Sequence, residues 1–172
     1  PGWAEGFETL GYGLGGDGPR QVFPSPGRRP PQTLEHEQGV VLIRRFTHGG
    51  LLRGLTGERF SDPSRLLHEV RLTLALADLG LLVAEPVCLR AVCLGFKSWQ
   101  LELGTRVVQQ SQDLRAFLAE RAKGALGDRS WQNLLISTGR ALREAHQLGL
   151  DHVDLQPANL LAQAVELQAA RP

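Results

Sequence analysis

Hydrophobic positions recur along this chain with two periods, and they change over at recognisable punctuation. From Gly39 the run V-V-L-I-R-R-F is β-branched and apolar, of strand length, and ends at His48-Gly49-Gly50; it predicts a well-paired strand. Asp62-Pro63 then opens a helix, with Asp as N-cap and Pro at the first helical position. Leu66, Leu67, Val70, Leu74 and Ala77 repeat at helical spacing until Gly80 closes it. Pro86 to Leu94 and Lys97 to Val107 read as two strands of a hairpin turning at Gly95. Asp113 caps a helix running to about Lys123. Another helix, from about Ser130 to Leu148, sets Leu134, Leu135, Thr138, Ala141, Leu142 and Ala145 on one face and stops at Gly149.

Ahead of Gly39 the periodicity breaks. Residues 1–36 contain G-Y-G-L-G-G-D-G-P from Gly11 to Pro19 and P-S-P-G-R-R-P-P from Pro24 to Pro31. Prolines at that density remove backbone donors and fix φ, so the second cluster reads as a loop or insertion, and the segment as a partly flexible extension. The chain thus divides into a Gly/Pro-rich segment (1–36), a part with strands and one helix (37–108), and a mainly helical part (109–172). No internal repeat is visible.

Composition narrows the function classes. With 172 residues, 42% hydrophobic and 22% charged, there is material for one sizeable core or two small lobes. A formal net charge of +1 gives no bulk electrostatic reason to expect nucleic acid as a partner. Cys88 and Cys93 are five apart in a strand and point to opposite faces, which suggests neither a disulfide nor a metal pair and fits a reducing compartment. No apolar run approaches bilayer length, so the chain is expected to be soluble and cytoplasmic. It lacks Met, starts at Pro1 and stops soon after A-Q-A-V-E-L-Q-A-A-R-P, which reads as a fragment or a product with wrongly assigned ends. Nothing in it sets an oligomeric state.

The densest candidate chemistry is D-H-V-D-L-Q-P-A-N-L-L, from Asp151 to Leu161. Asp154 precedes Asn159 by five positions, with Leu155 behind the acid and Leu160-Leu161 behind the amide to pin a short loop. A phosphoryl-transfer loop pairs an Asp that takes the acceptor proton with an Asn that holds magnesium, whereas a plain acidic loop between helices is the structural alternative. Arg44 ends an apolar strand, where its fork could meet a phosphate or simply face solvent. Arg45 falls on the other face and reads as its exposed neighbour. Glu69 lies beside the apolar stripe of its helix and wants a cation, either Arg44 or Arg65 four residues earlier. Gly15, Gly16 and Gly18 come nearest to a phosphate-cradling spacing, although Asp17 among them would repel phosphate. His152 and His146 read as packing residues.

A Gly-rich start, a strand ending in a cation, a Glu-bearing helix, a hairpin and H-x-D-L-x-x-x-x-N together resemble an α+β protein-kinase-like fold, an antiparallel first lobe with one helix followed by the start of a helical second lobe. Within that superfamily, R-R-F-T-H-G-G-L-L-R-G-L (Arg44 to Leu55), H-E-V-R-L-T-L-A-L-A-D-L-G-L-L-V-A-E-P-V (His68 to Val87) and R-E-A-H-Q-L-G-L-D-H-V-D-L-Q-P-A-N-L-L (Arg143 to Leu161) are similar to the lipopolysaccharide kinase family, the Kdo and heptose kinases. The resemblance covers about residues 39–161. It implies ATP and Mg2+, a lipid-linked sugar of the inner core as acceptor, and work at the cytoplasmic side of the inner membrane with peripheral membrane contact. It further implies Asp154 as general base, Asn159 as metal ligand, and Arg44 paired with Glu69 at the nucleotide.

Two departures qualify that picture. Val153 stands where regulated protein kinases carry an Arg that pairs with a phosphorylated loop, so such control is not expected. No Asp follows Asn159 to supply a second metal ligand, so this chain alone is expected to transfer phosphate poorly. The same loop also resembles aminoglycoside phosphotransferases and RIO-type kinases, and a catalytically dead kinase-like binding domain is the alternative from another class.

Overall fold

The structure, a computed structural model, describes residues 3–13, 16–22, 31–47, 58–150 and 155–163. The chain forms two compact units, residues 1–107 and 108–172. In the first, helix α1 (Trp3–Thr9) leads into a two-stranded ladder of β1 (Tyr12–Gly13) and β2 (Gly16–Asp17). A five-stranded antiparallel sheet comes next, built from β3 (Arg20–Val22), β4 (Gln32–His36), β5 (Gly39–Arg45), β6 (Pro86–Gly95) and β7 (Ser98–Arg106) in the spatial order β3-β4-β5-β7-β6. Helix α2 (Ser64–Asp78) lies between β5 and β6 in the chain.

The strand at Gly39, the Asp62-Pro63 helix and the hairpin turning at Gly95 therefore form as the hydrophobic pattern expects. Asp62 accepts the Ser64 backbone N–H at 2.8 Å, an orphan donor of the first helical turn. Residues 1–36 depart from expectation. Their described part is a helix and strands, with Phe7 and Tyr12 buried beside Leu34, Val41 and Ile43. The Phe7 and Tyr12 rings dock this segment on the sheet, with Trp3 and Leu10 packed against them, because each ring removes a large apolar area from water. The proline cluster at 24–30 lies outside the described residues.

Period-two alternation splits the sheet into two faces. Val41 and Ile43 face α1, whereas Leu101 and Leu103 join Phe60 and Leu66 in a second cluster that Val70 of α2 also packs against. Gly104 sits where β7 must admit the Cys88 thiol, since a Cβ there would meet Sγ at 2.3 Å and Val41 Cγ1 at 3.0 Å. Cys88 is half-buried under that contact and Cys93 is exposed, both as free thiols.

Among the described residues, one buried carboxylate sits in the first face of this sheet. Glu102, 1% exposed, is the central member of a cross-strand row in which Arg45 of β5 and Arg90 of β6 are its register partners. Arg20 contacts both carboxylate oxygens, at 3.2 and 3.0 Å, while Arg45 donates from Nε and Nη2 at 3.1 and 2.9 Å. Arg90 adds a bond at 3.2 Å and the Tyr12 hydroxyl donates at 3.3 Å. Burial alone would raise the Glu102 carboxyl, but the hydrogen bonds from Arg20 and Arg45 outweigh it and hold it below the ordinary carboxylate range. The Tyr12 hydroxyl is pushed up, chiefly by burial, and stays a donor.

The second unit holds β8 (Ser111–Asp113), α3 (Leu114–Ala122), α4 (Asp128–Gln147), a single 3-10 turn (Pro157–Asn159) and β9 (Leu161–Gln163), with β8 and β9 paired antiparallel. Asp113 caps α3 as expected, accepting the Ala116 N–H at 2.7 Å. Phe117, Leu126, Leu134 and Ala162 form the core of this unit. Of the apolar face read for α4, Leu134 is fully buried while Leu135 is 47% exposed. The described neighbours of α4 cover the turn around Leu134 and leave its later turns open.

The buried carboxylate can be tested through stability. Glu102→Ala strands three guanidinium groups and is expected to cost about 3–5 kcal/mol, read as a lower urea midpoint. Because the folded Glu102 carboxyl is held low, its contribution is present above the ordinary carboxylate range and lost as pH falls through the folded value. The wild-type midpoint should accordingly drop as pH is lowered from 6 to about 3, and that drop should be smaller in Glu102→Gln.

Candidate active site

The strand and helix of the first unit bring together two of the residues singled out in the sequence. Arg44, the penultimate residue of β5, projects to the α2 side of the sheet, where its Nη2 donates to Glu69 Oε1 at 2.5 Å. The guanidinium also lies over the Phe46 ring, 5.1 Å from its centroid. Twenty-five residues separate the pair in the chain, so only the crossover from β5 through α2 makes it. Glu69 is one turn before Thr73, whose hydroxyl donates to the Glu69 carbonyl at 2.9 Å.

This pair differs in kind from the Glu102 cluster. The Arg44 and Glu69 side chains are 59% and 35% exposed. Solvent-screened pairs of that sort contribute about 0–1 kcal/mol. The fold does not need it, and an exposed Arg holding one carboxylate still presents further donors in a fixed fork to a second anion. Arg45 is 36% exposed, as the sequence reading expects, and it is also paired. Alternation does send it to the opposite face, but that face carries Glu102, and Arg45 also meets Glu58 at 3.3 Å. A residue-by-residue reading misses this because the partner is 57 positions away.

The glycines receive a different account. In protein kinases a Gly-rich turn covers the phosphates and the cation stands on the third strand of the sheet. Here the strands ahead of the Arg44 strand in the sheet are β3 and β4, and the β1–β2 ladder is separate from that sheet. A Cβ at Gly16 would meet the Gly11 carbonyl oxygen at 2.7 Å, and Gly18 has φ +65 with Leu34 and Tyr12 within 3.2 Å of its Cβ position. Both are therefore required by packing, and neither stands where a kinase-like sheet places its phosphate turn. Gly15 lies outside the described residues. Asp17 is no isolated repulsive charge, because a hydrogen bond from Arg90 at 2.6 Å and the nearby Arg20 hold its carboxyl low.

In the second unit Asn159 ends the 3-10 turn that Pro157 opens, and its backbone N–H bonds the Gln156 carbonyl at 2.9 Å. The turn is anchored differently from expectation. Leu155 and Leu161 are 42% and 55% exposed, whereas Ala162 is buried against Phe117, Leu126 and Leu134. The Leu114 N–H also bonds the Leu160 carbonyl at 2.8 Å. β9 is three residues long, so alternation buries one side chain, that of Ala162. Asp154, with His152 and Val153, lies outside the described residues, as do Gly49 and Gly50. Among the described residues no cluster of three His, Cys, Asp or Glu is placed to hold a metal. Nor is any helix there long and apolar enough to cross a membrane.

Comparison with known proteins shows which proteins the chain is similar to. A model of the lipopolysaccharide kinase (Kdo/WaaP) family matches residues 20–171. A 3-deoxy-D-manno-octulosonic acid kinase of Actinobacillus succinogenes is 27% identical over 141 residues, covering 80% of this chain and 56% of that protein. One of Haemophilus influenzae strain PittEE is 28% identical over 160 residues, covering 86% of this chain and 61% of its own length. Another, of Stenotrophomonas maltophilia, is 29% identical over 139 residues, 78% of this chain and 52% of that enzyme. The chain thus spans little more than half the length of the relatives it matches.

The exposed ion pair makes its own prediction. Glu69→Gln and Arg44→Met should each move the urea midpoint by the equivalent of no more than about 1 kcal/mol, far less than a change at Glu102.

Proposed function

The chain belongs to the lipopolysaccharide kinase (Kdo/WaaP) family, and we propose from that membership that the whole protein transfers the γ-phosphate of ATP to a hydroxyl of an inner-core sugar, with Kdo rather than heptose as the acceptor. The Arg44–Glu69 pair is the observation that carries the phosphotransfer half of this reading. A cation at the end of a central strand, oriented by a helix carboxylate, is the kinase arrangement for the α- and β-phosphates. The choice of Kdo rests on the relatives, which are 3-deoxy-D-manno-octulosonic acid kinases.

In this reading each residue has a distinct task. Arg44 binds the nucleotide phosphates through the donors not engaged by Glu69, and Glu69 keeps its fork from swinging into solvent. Asp154 orients the sugar hydroxyl and accepts its proton as the bond to phosphorus forms. Asn159 offers magnesium an amide oxygen, a hard ligand suited to that ion, on a turn whose backbone is stiffened by Pro157. Magnesium, when bound, neutralises charge developing on the phosphates. A second carboxylate ligand of the Asp type is not supplied by residues 160–172, which contain no Asp. Val153 leaves the loop without the Arg that would read a phosphorylated segment, consistent with a sugar rather than a regulated protein-kinase role. The acceptor is lipid-linked, so the enzyme works in the cytoplasm against the inner membrane as a peripheral protein.

Transfer from γ-labelled ATP to Kdo-bearing lipid, heptose-bearing lipid and an aminoglycoside tests the proposal. Label is expected on the Kdo acceptor, and label confined to the aminoglycoside or to protein would overturn the assignment. Asp154→Ala should lower transfer by about 10²- to 10⁴-fold while nucleotide binding is nearly retained. Undiminished transfer would remove Asp154 from its role.

A further inference from the structure

We propose that Arg45, clamped by Glu102, is a positioning residue that orients Arg44 for the nucleotide phosphates; this rests on the role of Arg44 proposed above. Arg44 and Arg45 are the last two residues of β5, and by alternation they leave the strand on opposite faces. Strand ends fray unless something holds them. The Arg44 side cannot supply that hold, because Arg44 is 59% and Glu69 35% exposed and their contact is solvent-screened, whereas the Glu102 carboxylate that meets Arg45 is 2% exposed.

The Arg45 side can. Its guanidinium donates twice to Oε1 of Glu102, at 3.1 and 2.9 Å, and Glu102 is itself immobilised by Arg20 and Arg90. Arg45 is also the register partner of Glu102, so the side-chain clamp reinforces the backbone ladder at the same rung. The next rung closes with the Phe46 N–H on the Leu101 carbonyl at 2.9 Å. A third contact, Arg45 to Glu58, continues to Gln100, whose Nε2 donates to the same Glu58 oxygen at 3.1 Å. The peptide between Arg44 and Arg45 is thereby fixed from the buried face, and the Arg44 fork inherits a defined origin. Exposed on one face and anchored on the other, the strand end can offer a cation without letting it wander.

Arg45→Met tests this without stranding Glu102, which keeps Arg20 and Arg90. Dissociation constants for a fluorescent ATP analogue with Mg2+ would be measured on the whole protein carrying Arg45→Met, Arg44→Met and both changes, with Arg45→Lys as the conservative variant. Arg45→Met should weaken binding about five- to tenfold, and that loss should vanish in the Arg44→Met background, as it does when one residue acts through its neighbour. Arg45→Lys, which retains one donor to Glu102, should recover part of it. An Arg45→Met loss that persists undiminished beside Arg44→Met, or no loss at all, would overturn the positioning role while leaving Arg44 in place. Unchanged binding in Arg44→Met alone would instead overturn the nucleotide role of Arg44, and the positioning role of Arg45 with it.

Discussion

A carboxylate at the centre of a β-sheet imposes more on the first unit than any single apolar contact. Glu102 is buried and stays ionised, and an ion so placed is tolerated only where donors replace its water. Arg20, Arg45, Arg90 and Tyr12 do so from β3, β5, β6 and β1. Satisfying one residue therefore ties the β1–β2 ladder to the sheet and fixes the rung on which β5, β7 and β6 meet. Slipping β7 by a single residue would turn Glu102 towards Leu66 and Phe60 and Leu103 away from them, losing both the polar and the apolar match.

The same sheet holds two ionic arrangements with opposite physical purposes. The buried one is neutralised and inward, with Asp17 and Glu58 balancing the arginines around Glu102. It resists loss of the shared Glu102 carboxylate, because that would leave three guanidinium groups without their common partner. The Arg44–Glu69 pair is solvent-screened and weak, which suits the nucleotide role proposed for Arg44. Rigidity on one face and availability on the other are separated by a single peptide bond. In the second unit a comparable economy holds at Asn159, where Pro157 shapes the turn and Ala162 anchors strand β9 beyond it.

Local chemistry made much of this legible from the chain alone. The strand at Gly39, the helix at Asp62-Pro63, the hairpin at Gly95 and the Asp113 cap are written in short-range signals of propensity, capping and turn formation, which depend on neighbours a few residues away. Asp154 and Asn159 stand at the spacing that phosphoryl transfer needs, and the role given to them is the proposal made above. The N-terminal helix was hidden by its shortness and by the Gly- and Pro-rich residues after it, because Phe7 and Tyr12 gain stability only once Val41 and Ile43 lie beneath them. Gly16 and Gly18 are ambiguous for the same reason: a glycine required by close packing has the same letter as one that approaches phosphate.

By itself, then, the sequence determined the periods, the caps and the α+β order. Tertiary structure alone decided which charges meet. Arg45 reads as solvent-facing until β7 brings Glu102 beside it, and Glu69 is left between Arg44 and Arg65 until α2 crosses back over the strand end. Hydrogen bonds between groups 25 to 90 positions apart leave no periodic trace in the chain. The pair at Arg44 and Glu69 forms because α2 crosses back over the strand end, and the bonds to Glu102 form because strand register buries its carboxylate among donors.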